Sequence, residues 1–217
     1  MQQSGQTAAV HAPRLIGLMG GTFDPIHKGH VALGRQALQE YQLDEVWFMP
    51  SHIPPHKSAD VSAAEHRSAM VRLAIAGISG LRFSDFELQR EGTTYTAQTL
   101  KLLKEAYPRD TFFYIIGADS LYEIEKWYHP ELILGHITLL AATRSYEKDP
   151  ALTLDGQITY LTQKYGADIR ILHCPRMDIA SRDIRRLLQE GGSAEEVVPA
   201  AVLAYIREHG LYQKEEL

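Results

Sequence analysis

A chain of 217 residues, 45% of them apolar, is long enough to bury an α/β core without disulfide or metal staples. Its formal charge of −5 argues against nonspecific affinity for nucleic acid or an anionic membrane surface. No apolar run reaches the roughly 20 residues needed to cross a bilayer, and a single cysteine, Cys174, excludes an intrachain disulfide and fits a reducing, cytoplasmic setting.

Residues 1–13 are polar and rich in Ala and Gln, with no charged start followed by a long apolar stretch; a disordered extension is expected there, ahead of a single domain over 14–217. Beyond it, apolar runs alternate with helical periodicity. Strands are predicted at Arg14–Met19, Glu45–Pro50, Leu81–Glu87, Thr111–Gly117, His136–Ala142 and Asp168–Cys174. Helices are predicted at Gly29–Tyr41, Ala63–Ala76, Thr96–Tyr107, Leu121–Trp127, Leu152–Tyr165, Ser181–Gln189 and Pro199–Glu208. The run Phe112–Ile116 is continuously apolar, as expected of a strand covered by helices on both faces. The alternation predicts an α/β fold, a doubly wound parallel sheet with a helical C-terminal portion, and ligands at the carboxyl ends of the strands.

At the first strand-to-helix junction stands Gly20-Gly21-Thr22-Phe23-Asp24-Pro25-Ile26-His27-Lys28-Gly29-His30. Strand, glycine turn and helix start is a geometry that turns backbone N–H groups toward a phosphate, and His27 and His30 add side-chain donors. A Walker A loop is absent because Gly29 is followed by His30, not Lys, and G-x-G-x-x-G is absent too, which disfavours plain hydride transfer. A zinc site wants about three or four protein ligands, and no H-E-x-x-H or C-x-x-C accompanies the two histidines. Taken alone, Gly20 and Gly21 also fit an ordinary strand-end turn, and Asp24 a helix cap.

Other strand ends carry further candidates. Pro50 to Lys57 is a proline-rich turn bearing a cation, and Thr93 to Thr96 place hydroxyls at a helix start, where they usually cap. Gly117 lets a ligand approach the backbone, while Asp119 can accept from ribose hydroxyls or cap the next helix. Taken alone, Trp127 reads as a buried core indole. Arg144 by itself reads as a solvated surface arginine, and Asp178 to Arg185 as a capped amphipathic helix.

The pattern G-T-F-D-P-x-H-x-G-H resembles the signature of the nucleotidyltransferase superfamily, and within it the bacterial nicotinate-nucleotide adenylyltransferases; the resemblance runs from Leu15 to Tyr212. It implies a Rossmann-like fold and direct attack of nicotinate mononucleotide on the α-phosphorus of ATP. The products would be nicotinate adenine dinucleotide, in NAD biosynthesis, and pyrophosphate, with Mg²⁺ accompanying ATP. It implies that His27 and His30 are catalytic. It places Gly20, Gly21, Thr22, Phe23, Gly117, Asp119, Ser181 and Arg185 with them at ATP, and Lys57, Tyr95, Thr96, Trp127 and Arg144 at the mononucleotide. The related pantetheine-phosphate adenylyltransferases usually carry Thr where this chain has His27. Thr94, Gln98, Ala180 and Arg182 depart from the family's Ser, Asp, Ser and Thr; the first is chemically mild, the second removes a charge role, and the last two are expected to alter triphosphate affinity without loss of activity. The departures at Gln98, Ala180 and Arg182 are the sole support for a silent nucleotide-binding protein, and a metal-dependent hydrolase is the third class. The sequence does not fix the oligomeric state, and a homo-oligomer is compatible with it.

Overall fold

The apolar runs assemble into one six-stranded parallel sheet. The computed structural model describes residues 12–52, 61–90, 92–142, 153–174 and 180–213. In chain order the first half comprises β1 (Leu15–Gly21), α1 (Lys28–Glu40), β2 (Glu45–Pro50), α2 (Ala64–Ile75), β3 (Leu81–Phe83), α3 (Thr96–Ala106) and β4 (Thr111–Gly117). The second comprises α4 (Ala118–Glu123), α5 (Pro130–Leu134), β5 (Thr138–Ala142), α6 (Leu154–Tyr165), β6 (Ile169–Leu172), α7 (Ser181–Gln189) and α8 (Ala200–Glu208). The strand order is β3-β2-β1-β4-β5-β6, so the winding reverses between β1 and β4. A reversal of this kind leaves a crevice at the carboxyl ends of the two central strands.

Register shows how the crevice opens. β1 pairs with β2 through Gly21↔Pro50, whereas its pairing with β4 ends at Leu18↔Tyr114. Alternate side chains feed two cores. Phe113 and Ile115 join Val46, Phe48, Met70, Val202 and Ile206 on one face, while Phe112, Tyr114 and Ile116 join Leu18, Met49, Leu121 and Leu139 on the other. That double burial explains the continuous apolar run in β4. α1 lies close against β2: a Cβ placed on Gly34 would come within 2.7 Å of the Phe48 ring.

Most predicted elements are observed within a residue or two, and four differ in substance. β3 stops at Phe83 rather than Glu87, because it is an edge strand with only three paired positions, Val46↔Leu81 to Phe48↔Phe83. The helix expected over Leu121–Trp127 starts earlier, at Ala118, tightens into a 3₁₀ turn over Ile124–Lys126 and leaves Trp127 just outside. α5 was not anticipated; five residues with Pro130 in the first turn are too short to show a period. Finally, Gly20 and Gly21 close β1 and form no turn. The left-handed backbone falls on Phe23, with φ 52°.

Pro199 precedes α8 and Gly210 follows it with φ 58°, as the last predicted helix required. Cys174 lies half-buried beyond β6, where burial pushes its thiol up to about 11, away from the reactive thiolate. Among the described residues no helix is long and apolar enough to cross a membrane. The expected extension falls on residues 1–11, outside the described residues, plus Ala12 and Pro13, both exposed.

Candidate active site

The loop between β1 and α1 crosses the mouth of the crevice. His27 is the residue preceding α1, with extended backbone, and is only 3% exposed; His30, one turn on, is half-buried. The two imidazoles stack with centroids 3.7 Å apart, and the Phe23 ring meets His30 edge-on at 5.1 Å. The His27 backbone N–H donates to His30 Nδ1 at 3.2 Å. An Nδ1 that accepts cannot carry a proton, so the neutral ring of His30 holds its proton on Nε2. The helix start thus sets the tautomer that leaves Nε2–H as a donor.

Each glycine at the end of β1 answers to a neighbour. A Cβ on Gly20 would lie 2.7 Å from the Tyr114 hydroxyl, and one on Gly21 would lie 3.0 Å from the Phe23 ring. At Gly117, across the crevice, a Cβ would meet nothing within 4 Å, so its face is open to an incoming group. Asp119 is exposed in the first turn of α4; the residue before that helix is Gly117, and no side chain caps it.

Asp24 is 2% exposed and heavily engaged. Its carboxylate accepts from the Tyr212 hydroxyl at 2.5 Å and the Ser62 backbone N–H at 3.2 Å, with Arg185 Nη1 3.9 Å away. Arg185 Nη1 donates to the Asp24 carbonyl at 2.7 Å, and the Ser181 hydroxyl to the Pro25 carbonyl at 2.9 Å. The start of α7 is thereby drawn against the loop carrying His27. Ala180 precedes α7 and gives it no side-chain cap.

Arg67, in α2, was not anticipated and holds the site's floor. It is 1% exposed, and its guanidinium donates to the carbonyls of Thr22 (2.9 Å), Ser51 (2.8 Å), His52 (3.1 Å) and Ser62 (2.9 Å). Burial lowers its pKa from the ordinary arginine value, and the nearby Asp24 charge opposes that shift. Its signal lay in the spacing: positions 67, 70, 71, 74 and 75 form the buried stripe of α2, and the first holds an arginine.

Thr94 and Thr96 do not cap α3; Tyr95 precedes it. Thr94 and Thr99 instead donate to the buried Glu87 carboxylate at 3.0 and 2.7 Å, and Thr96 is hydrogen-bonded to Tyr114. Burial raises the Glu87 pKa against the pull of those two hydroxyls, and pushes Tyr114 up to about 12. Gln98 accepts from Arg90 at 3.0 Å. The Tyr95 ring lies 4.4 Å from that of Tyr128, while half-buried Trp127 stands perpendicular to Tyr114 at 6.3 Å and packs on the second core. Lys57 and Arg144 lie outside the described residues, as do Asp178 and Ile179. A separate cavity of about 530 Å³, lined by Leu100, Phe112 and Ile137, sits at the amino ends of β4 and β5 and contains none of these groups.

A reversed parallel sheet, stacked histidines at the first helix start and a second helix start beside them define a nucleotide-handling α/β protein. The chain belongs to the cytidylyltransferase-like family, whose model matches residues 18–187. It is 42% identical to a protein of Lachnoclostridium phytofermentans named "Probable nicotinate-nucleotide adenylyltransferase", over 92% of this chain and 99% of the relative. A relative of the same name from Oceanobacillus iheyensis is 35% identical over 92% and 97%. Its fold is similar to that of Plasmodium falciparum nicotinic acid mononucleotide adenylyltransferase complexed with NaAD, with a TM-score of 0.77 at 21% identity, covering 92% of this chain and 97% of the other.

Two outcomes follow from the buried groups. Arg67→Lys keeps the charge but loses the fork, leaving backbone carbonyls unsatisfied; urea unfolding should report a loss of about 2–4 kcal/mol. Because the folded-state pKa of Glu87 is raised, the stability this group contributes is fully present below its ordinary value of 4.5 and is lost as pH rises through the elevated one. Glu87→Gln should therefore flatten the stability–pH profile above 4.5, as measured by thermal melts at stepwise increasing pH.

Proposed function

We propose that this chain transfers the adenylyl group of ATP to nicotinate mononucleotide, releasing pyrophosphate and forming nicotinate adenine dinucleotide. The observation that carries this reading is the imidazole pair at the start of α1, over the β1/β4 switch point, in a chain 42% identical to a relative named for that reaction. An oxygen of the mononucleotide phosphate attacks the α-phosphorus. The bond from that phosphorus to the oxygen bridging to the β-phosphorus breaks, and pyrophosphate leaves with the electron pair. The attacking phosphate is already ionised at neutral pH, so no general base or covalent nucleophile is required.

Catalysis then consists of holding the two phosphates in line and stabilising charge on the transferring group. His30 Nε2–H is assigned as a donor to the reacting phosphate, with His27 stacked behind it. Gly20, Gly21, Thr22 and Phe23 shape the loop beneath the triphosphate, and Ser181 and Arg185 bring donors from the start of α7. Gly117 offers an open face and Asp119 an acceptor for the nucleoside, while Tyr95, Thr96 and Trp127, with Lys57 and Arg144, are assigned to the mononucleotide.

Mg²⁺ is assigned as the companion of ATP. Among the described residues no cluster of three or more His, Cys, Asp or Glu is suited to a metal, and the Asp24 carboxylate already accepts from Tyr212 and Ser62. A hard cation of this kind keeps water and phosphate oxygens as its main ligands. When bound, it offsets the charge of the triphosphate; the protein contributes the neutral and cationic donors described above.

An acceptor panel tests the substrate assignment. Pyrophosphate release from ATP should be fastest with nicotinate mononucleotide, slower with nicotinamide mononucleotide and undetectable with pantetheine phosphate; release with the last alone would overturn it. His30→Ala should lower turnover by roughly 10²–10³ if Nε2–H stabilises the transferring group. Near-normal turnover in the folded variant would remove His30 from that role.

A further inference from the structure

The segment after α7 lies outside the sheet, yet it supports the catalytic loop at three places. The Val197 carbonyl accepts the Lys28 backbone N–H at 2.8 Å, and the Glu195 carbonyl accepts Lys28 Nζ at 2.9 Å. The third is Tyr212, which follows α8 with a left-handed backbone, φ 59°, and donates its hydroxyl to Asp24 Oδ1 at 2.5 Å. Of the three, this is the one in which the segment itself contributes a side chain.

We propose that Tyr212 is a positioning residue for adenylyl transfer: its hydroxyl fixes Asp24, and Asp24 fixes the loop that presents His27 and His30. The inference rests on the function proposed above. Asp24 lies three residues before His27, and its carbonyl also accepts Arg185 from the start of α7. Through its carboxylate, which accepts from Tyr212, and its main-chain carbonyl, which accepts from Arg185, one buried residue therefore ties the loop before the histidines to that arginine. The charged and titratable groups around the bond are Asp24 itself, Arg185 at 3.9 Å and the buried Arg67; the Ser62 side chain is hydrogen-bonded to the Tyr212 hydroxyl. Burial and the Asp24 charge both raise the Tyr212 pKa, so the phenol keeps its proton and its donor role across the working pH range.

A tyrosine that only filled space would be replaced by phenylalanine at no cost to turnover. If the hydroxyl positions the loop, Tyr212→Phe should lower kcat about tenfold, the scale on which sub-ångström misplacement of reacting groups acts. The KM for the mononucleotide should stay within about twofold, because Tyr95, Thr96 and Trp127 belong to elements on the other side of the crevice. Asp24→Asn tests the same bond from the acceptor side. The double variant should be no slower than the slower single one, whereas independent, multiplying losses would overturn the proposal.

A readout independent of activity is the nitrogen–proton NMR spectrum of the histidine rings. Tyr212→Phe should shift the His27 and His30 resonances and leave His136, at the far end of the sheet, in place. Unchanged kcat together with unchanged His27 and His30 signals would overturn the role of Tyr212. If the parent chain released no pyrophosphate with any acceptor, the proposed function would fall, while the ring spectra would still decide the positioning of the loop.

Discussion

The buried guanidinium of Arg67 is the constraint on which the mouth of the crevice depends. A charge 1% exposed must be solvated by the protein, and here the solvating groups are carbonyls of Thr22, Ser51, His52 and Ser62. Those carbonyls belong to the loops leaving β1 and β2 and to the entry of α2. Without the cation, three backbone segments would each present unsatisfied acceptors in the interior. With it, they are locked at one spacing, and the loop carrying the histidines has a fixed base. The Asp24 charge lies close enough to offset part of the desolvation.

On that base the helix starts are arranged. His27 precedes α1 and passes its backbone N–H to His30; Ser181 and Arg185 of α7 attach to the carbonyls of Pro25 and Asp24. The site is therefore assembled from elements distant in sequence, joined through main-chain groups of one short loop. Preorganisation of this kind suits a reaction in which the protein stabilises charge and forms no covalent bond. The open face at Gly117 and the early end of β1–β4 pairing leave space at the carboxyl ends of the two central strands.

Much of this was legible in the sequence because the signals were local. The apolar run of β4 and the periodicity of α1 required only nearest-neighbour patterns, and the His-Lys-Gly-His spacing located the helix start. What escaped were residues whose partners lie far away in sequence. Gly20 read as a turn residue, but it is small because the Tyr114 hydroxyl occupies the space a Cβ would need, and that pairing exists only after the sheet forms. Thr94 read as a cap and is instead a donor to Glu87; β3 ended early because edge pairing, not hydrophobicity, set its length. Arg67 did not read as a site residue, because its partners are main-chain oxygens that no side-chain pattern reveals.

The bond between Tyr212 and Asp24 joins positions 188 apart in the chain. During synthesis on the ribosome the loop and its two imidazoles emerge early, whereas their prop emerges only after all six strands have been made. A fragment ending before α8 would carry the recognisable motif without the hydroxyl that bonds Asp24. Completion of the loop's hydrogen bonding is thus coupled to completion of the sheet, since Tyr212 follows β6 in the chain.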